Sequence, residues 1–404
     1  MNEVLIESLD HQGRGIARIN NKVIFIENAL PGEIVDINIT KEKKRYSEGS
    51  VIRHIKNSKK RIDPICPYYN ICGGCNLMHL SYEEQLKFKE NKINDIIKKY
   101  LSDNIKVNEI IVSDNNLYYR NKVTFKTNEK IGFYKKESNN IVCIDNCFIS
   151  NNLINSVINN LNQLDLDNIN EITCRANNEE LMVVLNVKNN INEEKVIGTL
   201  KDKCSSIIVN DNNNFKCIYK DNYIINKIGN LKYYVTNNGF FQINDDVTYK
   251  LYSKIKEYCE LKGNELILDL YCGSGTIGLF LSDKCKKVIG VEINKSSIEC
   301  ANMNKKLNKI NNCEFICDST DNININIKPD IIIVDPPRSG LSKKTIQEII
   351  NYQSPKIIYV SCDPMTLVRD LKLLSKYYNI QELTPFDMFP NTHHVESVVL
   401  LNIK

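Results

Sequence analysis

Cys362 stands in Ser361-Cys362-Asp363-Pro364, directly after the apolar run Lys356-Ile-Ile-Tyr-Val360. Such a run reads as a buried parallel strand, and the polar tetrapeptide ending in proline marks where it stops. In an open α/β sheet, ligands bind in the loops beyond the carboxyl ends of the strands, so a thiol at this point is displayed as a nucleophile. A lone cysteine is more often an inert buried thiol; its neighbours decide against that here. Near the C-terminus, Asp387-Met-Phe-Pro390-Asn-Thr-His393-His394-Val-Glu396 leads into a last apolar run, Ser397-Val-Val-Leu-Leu401. Glu396 is the candidate base at the mouth of that strand, with His393 and His394 nearby.

A second group of residues suits a nucleoside-bearing cofactor. Asp269-Leu-Tyr271-Cys-Gly273-Ser-Gly275-Thr-Ile-Gly278 carries G-x-G-x-x-G after an apolar run. That pattern alone also serves dinucleotides, whose pyrophosphate it cradles at a helix N-terminus. An acidic residue four positions before the first glycine, Asp269, is suited to neutralise a cationic amino-acid moiety, whereas beside pyrophosphate it would repel. The rigid acidic turn Asp335-Pro336-Pro337-Arg338-Ser339-Gly340 points the same way, towards a methyl sulfonium. Glu292, ending the next apolar run, fits a ribose diol in either case.

A thiol, a carboxylate and a methyl donor are what C5 methylation of a pyrimidine requires. That carbon is not nucleophilic until a thiolate adds to C6 and turns the ring into an enolate, and a base must later remove the C5 proton. A free thiol with a pKa of about 8.5 is only a few per cent ionised at neutral pH, so positive groups or a proton acceptor are expected beside it.

The elements that must hold these residues are legible as alternating strand and helix. Runs at 265–269, 288–292, 313–317, 330–334 and 356–360 predict a doubly wound parallel sheet of Rossmann-like type over 236–404. Residues 1–57 show short apolar runs (Val4-Leu-Ile, Lys22 to Ile26, Glu33 to Ile39, Gly49 to Ile52) between glycine-containing turns. They predict a five-stranded barrel of the oligonucleotide-binding type, with Arg14, Arg18 and the basic run after Lys41 available to RNA backbone. Between them, 58–235 predicts a central α+β domain. It contains a helix with Ser81 and Glu84 as a capping box and a stripe of Leu86, Glu90, Ile93 and Ile97. Its Asn-rich stretches read as loops and helix surface, and Tyr118-Tyr-Arg120-Asn-Lys122 as either a base-stacking patch or a structural turn. Cys66, Cys72 and Cys75, in C-x5-C-x2-C with Gly73-Gly74 inside, predict a metal site of iron–sulfur or zinc type, with Cys143 and Cys147 as candidates for a fourth ligand.

The chain has 404 residues and a net charge of only +4, yet Lys41 to Arg61 holds nine Lys or Arg against two Glu, enough to meet several phosphates. Fifteen cysteines scattered through apolar runs argue against a secreted disulfide scaffold. No stretch approaches the roughly 20 apolar residues that cross a bilayer, and no signal pattern opens the chain. A cytoplasmic protein with no membrane partner is expected.

Taken together, Phe240-Phe-Gln242, the Asp269 to Gly278 loop, Asp335-Pro-Pro-Arg-Ser-Gly, Ser361-Cys-Asp-Pro and Phe389-Pro-x-Thr-x-His-Val-Glu396 resemble the RNA uracil-5-methyltransferase family over nearly the whole chain. Residues 1–57 resemble the TRAM RNA-binding module. The resemblance implies S-adenosylmethionine as methyl donor, Cys362 as the nucleophile at C6 and Glu396 as the acceptor of the C5 proton. It places cofactor contacts on Gln242, Tyr271, Glu292 and Asp335, and a base-stacking aromatic on Phe240. It further implies a four-iron four-sulfur cluster on Cys66, Cys72, Cys75 and Cys147, as in members acting on 23S ribosomal RNA, and the working form is expected to be a monomer. Transfer RNA is the alternative substrate. A cytosine-5 enzyme is disfavoured, because Arg338 stands where many of these carry a cysteine. A nicotinamide-dependent oxidoreductase leaves Cys362 and Glu396 unexplained, and a non-catalytic iron–sulfur RNA-binding protein is the reading from another class.

Overall fold

The structure, a computed structural model, describes every residue except Met1, Asp103, Asn238 and Asn324. The chain divides into two compact units, one of residues 1–92, 132–144 and 389–393, the other of 93–131, 145–388 and 394–404.

The first unit opens on β1 (Asn2–Leu5), β2 (Ser8–Leu9), β3 (Gly15–Ile19), β4 (Lys22–Glu27), β5 (Ile34–Glu42) and β6 (Tyr46–Lys56), in the sheet order β1-β5-β6-β4-β3-β2. Alternation along the strands selects the inner face: Ile24 and Ile26 of β4 meet Val4, Ile6, Ala17, Ala29, Val35 and Ile37 in one core. Six strands form, not the five expected, because Ser8–Leu9 is too short to show periodicity. Of the basic run, Lys43, Lys44 and Arg45 are exposed between β5 and β6, and Lys59, Lys60 and Arg61 follow β6.

Glu33, fully buried beside that sheet, anchors the chain that follows. Its carboxylate accepts from Arg61 Nε (2.6 Å) and Nη2 (2.8 Å) and from the N–H groups of Leu30 (2.8 Å) and Ser58 (3.1 Å). Burial pushes this carboxyl upward, but Arg61 and the two amides outweigh it and hold it below the usual range.

Helix α1 (Tyr82–Tyr100) follows. The expected capping box is replaced: the Ser81 N–H donates to Lys60 O (3.2 Å), while Glu84 pairs with Lys60 (2.5 Å) and Lys87 (2.9 Å). Its buried face is Gln85, Lys89, Lys92, Ile93, Ile96 and Ile97, so the first half of the inward stripe is polar, in contrast to the apolar one expected.

The central elements are β7 (Lys106–Val107), β8 (Lys122–Thr127), β9 (Ile131–Tyr134), β10 (Ile141–Cys143), α2 (Asn152–Leu161), β11 (Ile169–Ala176), β12 (Leu181–Val187) and α3 (Glu193–Leu200). After them come β13 (Ser206–Asp211), β14 (Asn214–Lys220) and the hairpin of β15 (Tyr223–Ile228) with β16 (Leu231–Thr236). In the second unit β8, β11, β12, β13 and β14 pair in that order.

From there strand and helix alternate: α4 (Asp245–Cys259), β17 (Leu266–Leu270), α5 (Thr276–Leu281), β18 (Lys287–Glu292), α6 (Lys295–Leu307), β19 (Cys313–Cys317), β20 (Ile331–Val334), α7 (Lys343–Tyr352), β21 (Lys356–Ser361) and α8 (Pro364–Leu374). Two antiparallel strands close the chain, β22 (Tyr378–Phe386) and β23 (Glu396–Ile403). The sheet order is β19-β18-β17-β20-β21-β23-β22-β7, with the first five strands mutually parallel. This is the doubly wound architecture expected, extended by β22, β23 and β7. Buried Ile332, Val334, Ile357 and Tyr359 of its strands pack with Ile346 and Ile349 of α7, Leu367 and Leu371 of α8, and Ile93, Ile96 and Ile97 of α1.

Candidate active site

Strand order reverses between β17 and β20, and in such sheets the crevice at the carboxyl ends beside that reversal is the binding site. Tyr271 follows β17, Glu292 ends β18, Asp335 follows β20 and Cys362 follows β21, so all four lie at one edge. The antiparallel β23 starts at that same edge with Glu396. Its pairing with β21 ends at Ser361↔Ser397, the residues next to Cys362 and Glu396, and Glu396 is close enough to act on the charge state of the Cys362 thiol.

Local chemistry fixes Cys362 there. Asp363 caps α8, its carboxylate accepting from the N–H groups of Met365 (3.0 Å) and Thr366 (2.9 Å), with Pro364 starting the helix. Ser361 Oγ donates to Asp363 O (3.0 Å) and accepts from its N–H (3.2 Å). The thiol therefore sits on a two-residue turn bonded on both sides. The turn after Asp335 is braced likewise: Arg369 Nη2 donates to Ser339 O (2.8 Å), and Asp370 accepts from Leu341 N–H (2.8 Å) and from the Tyr359 hydroxyl (2.7 Å).

The site raises its acids above their usual ranges. Glu396 is buried, and burial first, then the neighbouring Asp335, raises its carboxyl well above the usual range. Burial pushes Asp335 up to about 7. The half-buried Cys362 thiol is pushed up to about 12, by burial first and then by Glu396 and Asp335. Arg338, exposed on the turn after Asp335, opposes the shifts of both Cys362 and Glu396. Of the two kinds of neighbour expected, both stand beside this thiol, and the carboxyl groups outweigh the cation.

The glycine-rich turn forms a cradle. Tyr271, Gly273 and Gly275 take positive φ (62°, 53° and 75°), and a Cβ on Gly273 would project into open space. Glu292 accepts from the N–H groups of Gly273 (3.3 Å) and Asn294 (2.8 Å), leaving its carboxylate lone pairs for a diol. These features fit a nucleoside-bearing methyl donor. Asp269 departs from its expected role. It is fully buried and accepts from Gly278 N–H (3.2 Å), and its Oδ1 is buried without a hydrogen-bond partner. Burial first, then Asp335, raises it to about 8, so it braces the turn from beneath as a neutral acid.

Gln242 and Phe240 are set by residues whose role the sequence left open. Asn121 Nδ2 donates to Gln242 O (2.9 Å) and to Asp245 Oδ1 (2.8 Å), and Asn121 N–H to Ile243 O (2.9 Å). Buried Arg175 donates to Gly239 O (2.5 Å), next to Phe240, whose ring is 65% exposed and free to stack. In the segment from Tyr118 to Lys122, Tyr119 and Asn121 are buried and Tyr118 is exposed.

The metal expectation is not supported. Cys66, Cys72 and Cys75 are half-buried in turns closed by bonds such as Cys72 N–H to Tyr68 O (2.7 Å), and Gly74 N–H donates to Cys72 Sγ (3.4 Å). Among the described residues no group of three or more His, Cys, Asp or Glu is placed to hold a metal ion. Cys143 is exposed; the backbone of half-buried Cys147 is held by Asn155 of α2, its N–H donating to Asn155 Oδ1 (2.9 Å). Among the described residues no helix is long and apolar enough to cross a membrane.

A doubly wound sheet with a glycine cradle at its reversal and a thiol facing a carboxyl beside it defines a methyltransferase of the S-adenosylmethionine-dependent class. Comparison with known proteins narrows this. The tRNA (Uracil-5-)-methyltransferase family model matches residues 81–404 and the TRAM domain model residues 2–52. The chain belongs to that family and is an RNA uracil-5-methyltransferase with an N-terminal TRAM domain. It is 36% identical to an uncharacterized RNA methyltransferase of Clostridium tetani, covering 98% of this chain and 95% of the relative. It is also 36% identical to one of Staphylococcus aureus, covering 99% and 97%. Among solved structures, the tRNA (uracil-54, C5)-methyltransferase of Pyrococcus abyssi in complex with S-adenosyl-L-homocysteine matches with TM-score 0.83 at 26% identity, over 99% of this chain and 100% of that one.

Proposed function

We propose that this enzyme methylates C5 of a uridine through a covalent adduct on Cys362, with Glu396 removing the C5 proton. The observation that supports this reading is the β21–β23 pairing, which runs up to Ser361↔Ser397, with the buried Glu396 acting on the neighbouring Cys362 thiol at the carboxyl edge of the sheet. S-adenosylmethionine, when bound, supplies the methyl group; Gln242, Tyr271, Glu292 and Asp335 hold it. A uridine leaves its stack, at a cost of a few kcal/mol, and rests against Phe240. Cys362 gives up its proton as sulfur bonds to C6, and the ring's electrons move to C5, which takes the methyl group. Glu396, having first lost its own proton to solvent, removes the C5 proton as a carboxylate, the double bond re-forms and the sulfur leaves as a thiolate that takes up a proton again. Overall, one C5–H bond becomes a C5–CH3 bond and one proton is released.

Neutral resting groups suit this sequence. A thiol that ionises only as it attacks is protected from oxidation, and a carboxyl with a raised pKa is a stronger base once deprotonated. The expected result is that Cys362→Ser forms no product, while Glu396→Gln transfers the methyl group but accumulates a covalent enzyme–RNA adduct, seen as a slow band on a denaturing gel. Normal product yield from Glu396→Gln removes that residue from the mechanism.

For the substrate, we propose 23S ribosomal RNA, supported by the cysteine motif at 66–75. On this reading residues 1–57 bind RNA, 58–235 hold a four-iron four-sulfur cluster on Cys66, Cys72, Cys75 and Cys147, and 236–404 carry the chemistry, as a monomer in the cytoplasm. Fifteen cysteines scattered through apolar runs suit a reducing compartment. The ligand assignment is the one the family resemblance implies, and methyl transfer itself needs no electron. A second reading, transfer RNA, is favoured by the full-length likeness to the Pyrococcus abyssi enzyme. Mapping 5-methyluridine in both RNAs from a strain lacking the gene separates the two.

A further inference from the structure

The segment from Phe389 to His393 is irregular chain that ends three residues before Glu396. Its backbone polar groups are held by side chains of residues 76–92, all in the first unit. Lys89 Nζ donates to Phe389 O (3.0 Å) and Lys92 Nζ to His393 O (2.9 Å). Gln85 meets Asn391 twice, accepting from its N–H (3.0 Å) and donating to its Oδ1 (3.2 Å). Asn76 Oδ1 accepts from His393 N–H (2.9 Å), its Nδ2 lies 2.6 Å from His393 Nδ1, and the N–H groups of Asn76 and Leu77 donate to Asn391 O (3.1 and 3.0 Å).

Lysine and glutamine are seldom fully buried, yet Gln85, Lys89 and Lys92 are 2%, 0% and 8% exposed. They share the helical face that continues into Ile96 at spacings of four, three and four, so side chains that would otherwise be apolar are amino and amide groups reaching one loop. Asn391, at the centre of that loop, takes φ +66°, a left-handed conformation that the surrounding bonds hold in place.

We propose that Gln85, Lys89 and Lys92 of α1, with Asn76, are positioning residues for Glu396: they fix the approach of the chain to β23 and thereby the base that takes the C5 proton. The inference rests on the assignment of Glu396 above. A misplacement of about 1 Å costs on the order of 100-fold in such a step. Because methyl transfer precedes proton removal, a loosened clamp slows only the second step, and the methylated adduct builds up.

The test uses full-length enzyme, unmodified RNA and S-adenosylmethionine labelled in the methyl group, with Gln85→Met, Lys92→Met and Lys92→Arg. Both Met variants are expected to retain donor binding and a KM for RNA within about twofold, to lose roughly 10- to 100-fold in product release, and to accumulate labelled adduct. Lys92→Arg, which keeps a donor, is expected to restore turnover. Should the Met variants fail to fold, Gln85→Glu keeps the acceptor for Asn391 N–H and is expected to accumulate an intermediate amount of adduct. Adduct and product falling together, or wild-type turnover without adduct, overturns the proposal. Glu396→Gln runs alongside: adduct in that variant but not in the clamp variants refutes the clamp alone, whereas no adduct in Glu396→Gln refutes the assignment of the base and the clamp with it.

Discussion

A cysteine meant to attack a carbon is here surrounded by groups that discourage its ionisation. The Cys362 thiol is raised to about 12, against about 8.5 for a free one, by burial, Glu396 and Asp335. A group raised in this direction is neutral below its pKa, so the thiolate fraction rises about tenfold with each pH unit up to that value. In the free enzyme, alkylation of Cys362 by iodoacetamide is therefore expected to be slow at pH 7 and to climb log-linearly through pH 10. Peptide mapping of the labelled protein at each pH checks this. A plateau at Cys362 near pH 8 would show that Arg338 outweighs the carboxyls. The residue types were legible, since Cys362 and Glu396 stand in short polar segments bordering apolar runs. The environment was not. Neither the protonated state of the thiol nor the burial of Asp269 is visible in a string, because both depend on which carboxyls the sheet order brings together.

Among the elements, the glycine turn is where sequence and structure agree most closely, because backbone geometry itself demanded the residue. Gly275 has φ +75° at the start of α5, and a Cβ there would stand 2.6 Å from the Phe315 ring and 3.1 Å from Ala301 Cβ. Gly275→Ala combines a left-handed alanine with overpacking, together about 2–4 kcal/mol. A fall in thermal midpoint together with at least a tenfold weaker affinity for S-adenosyl-L-homocysteine is expected, read by calorimetry. The β/α alternation was legible for the same reason: fully buried parallel strands are unbroken apolar runs. The sequence concealed β22, whose Asn379 to Glu382 half is polar and partly exposed, and β7, two residues that join the sheet by pairing with Glu382 and Leu383. It also concealed the inward face of α1. A stripe of Gln85, Lys89 and Lys92 scores as solvent-facing under any hydrophobic pattern, although its spacing continues that of Ile96.

Across the whole molecule, electrostatics divides the tasks. A net charge of +4 over 404 residues supplies little attraction to RNA, and the methyl-transfer edge is lined by carboxyl groups, so affinity must come from elsewhere in the chain. The β5–β6 hairpin offers Lys43, Lys44 and Arg45 in a row, all exposed, on a sheet that Glu33 and Arg61 tie to the following chain. Each phosphate contact on a single strand contributes about 0.7 to the slope of log affinity against log salt concentration. Replacing the three by alanine is therefore expected to lower that slope by up to about 2 and to raise KM for RNA, while kcat at saturating RNA and affinity for S-adenosyl-L-homocysteine stay unchanged. Filter binding from 50 to 300 mM salt, with turnover measured at high RNA concentration, reads both quantities. A lowered kcat with an unaltered slope would place these cations in the reaction, not in the capture of the substrate. The expected pattern follows from the charges themselves: cations beside Cys362 and Glu396 would favour their ionised forms, so capture of the polyanion falls to residues other than those that do the chemistry.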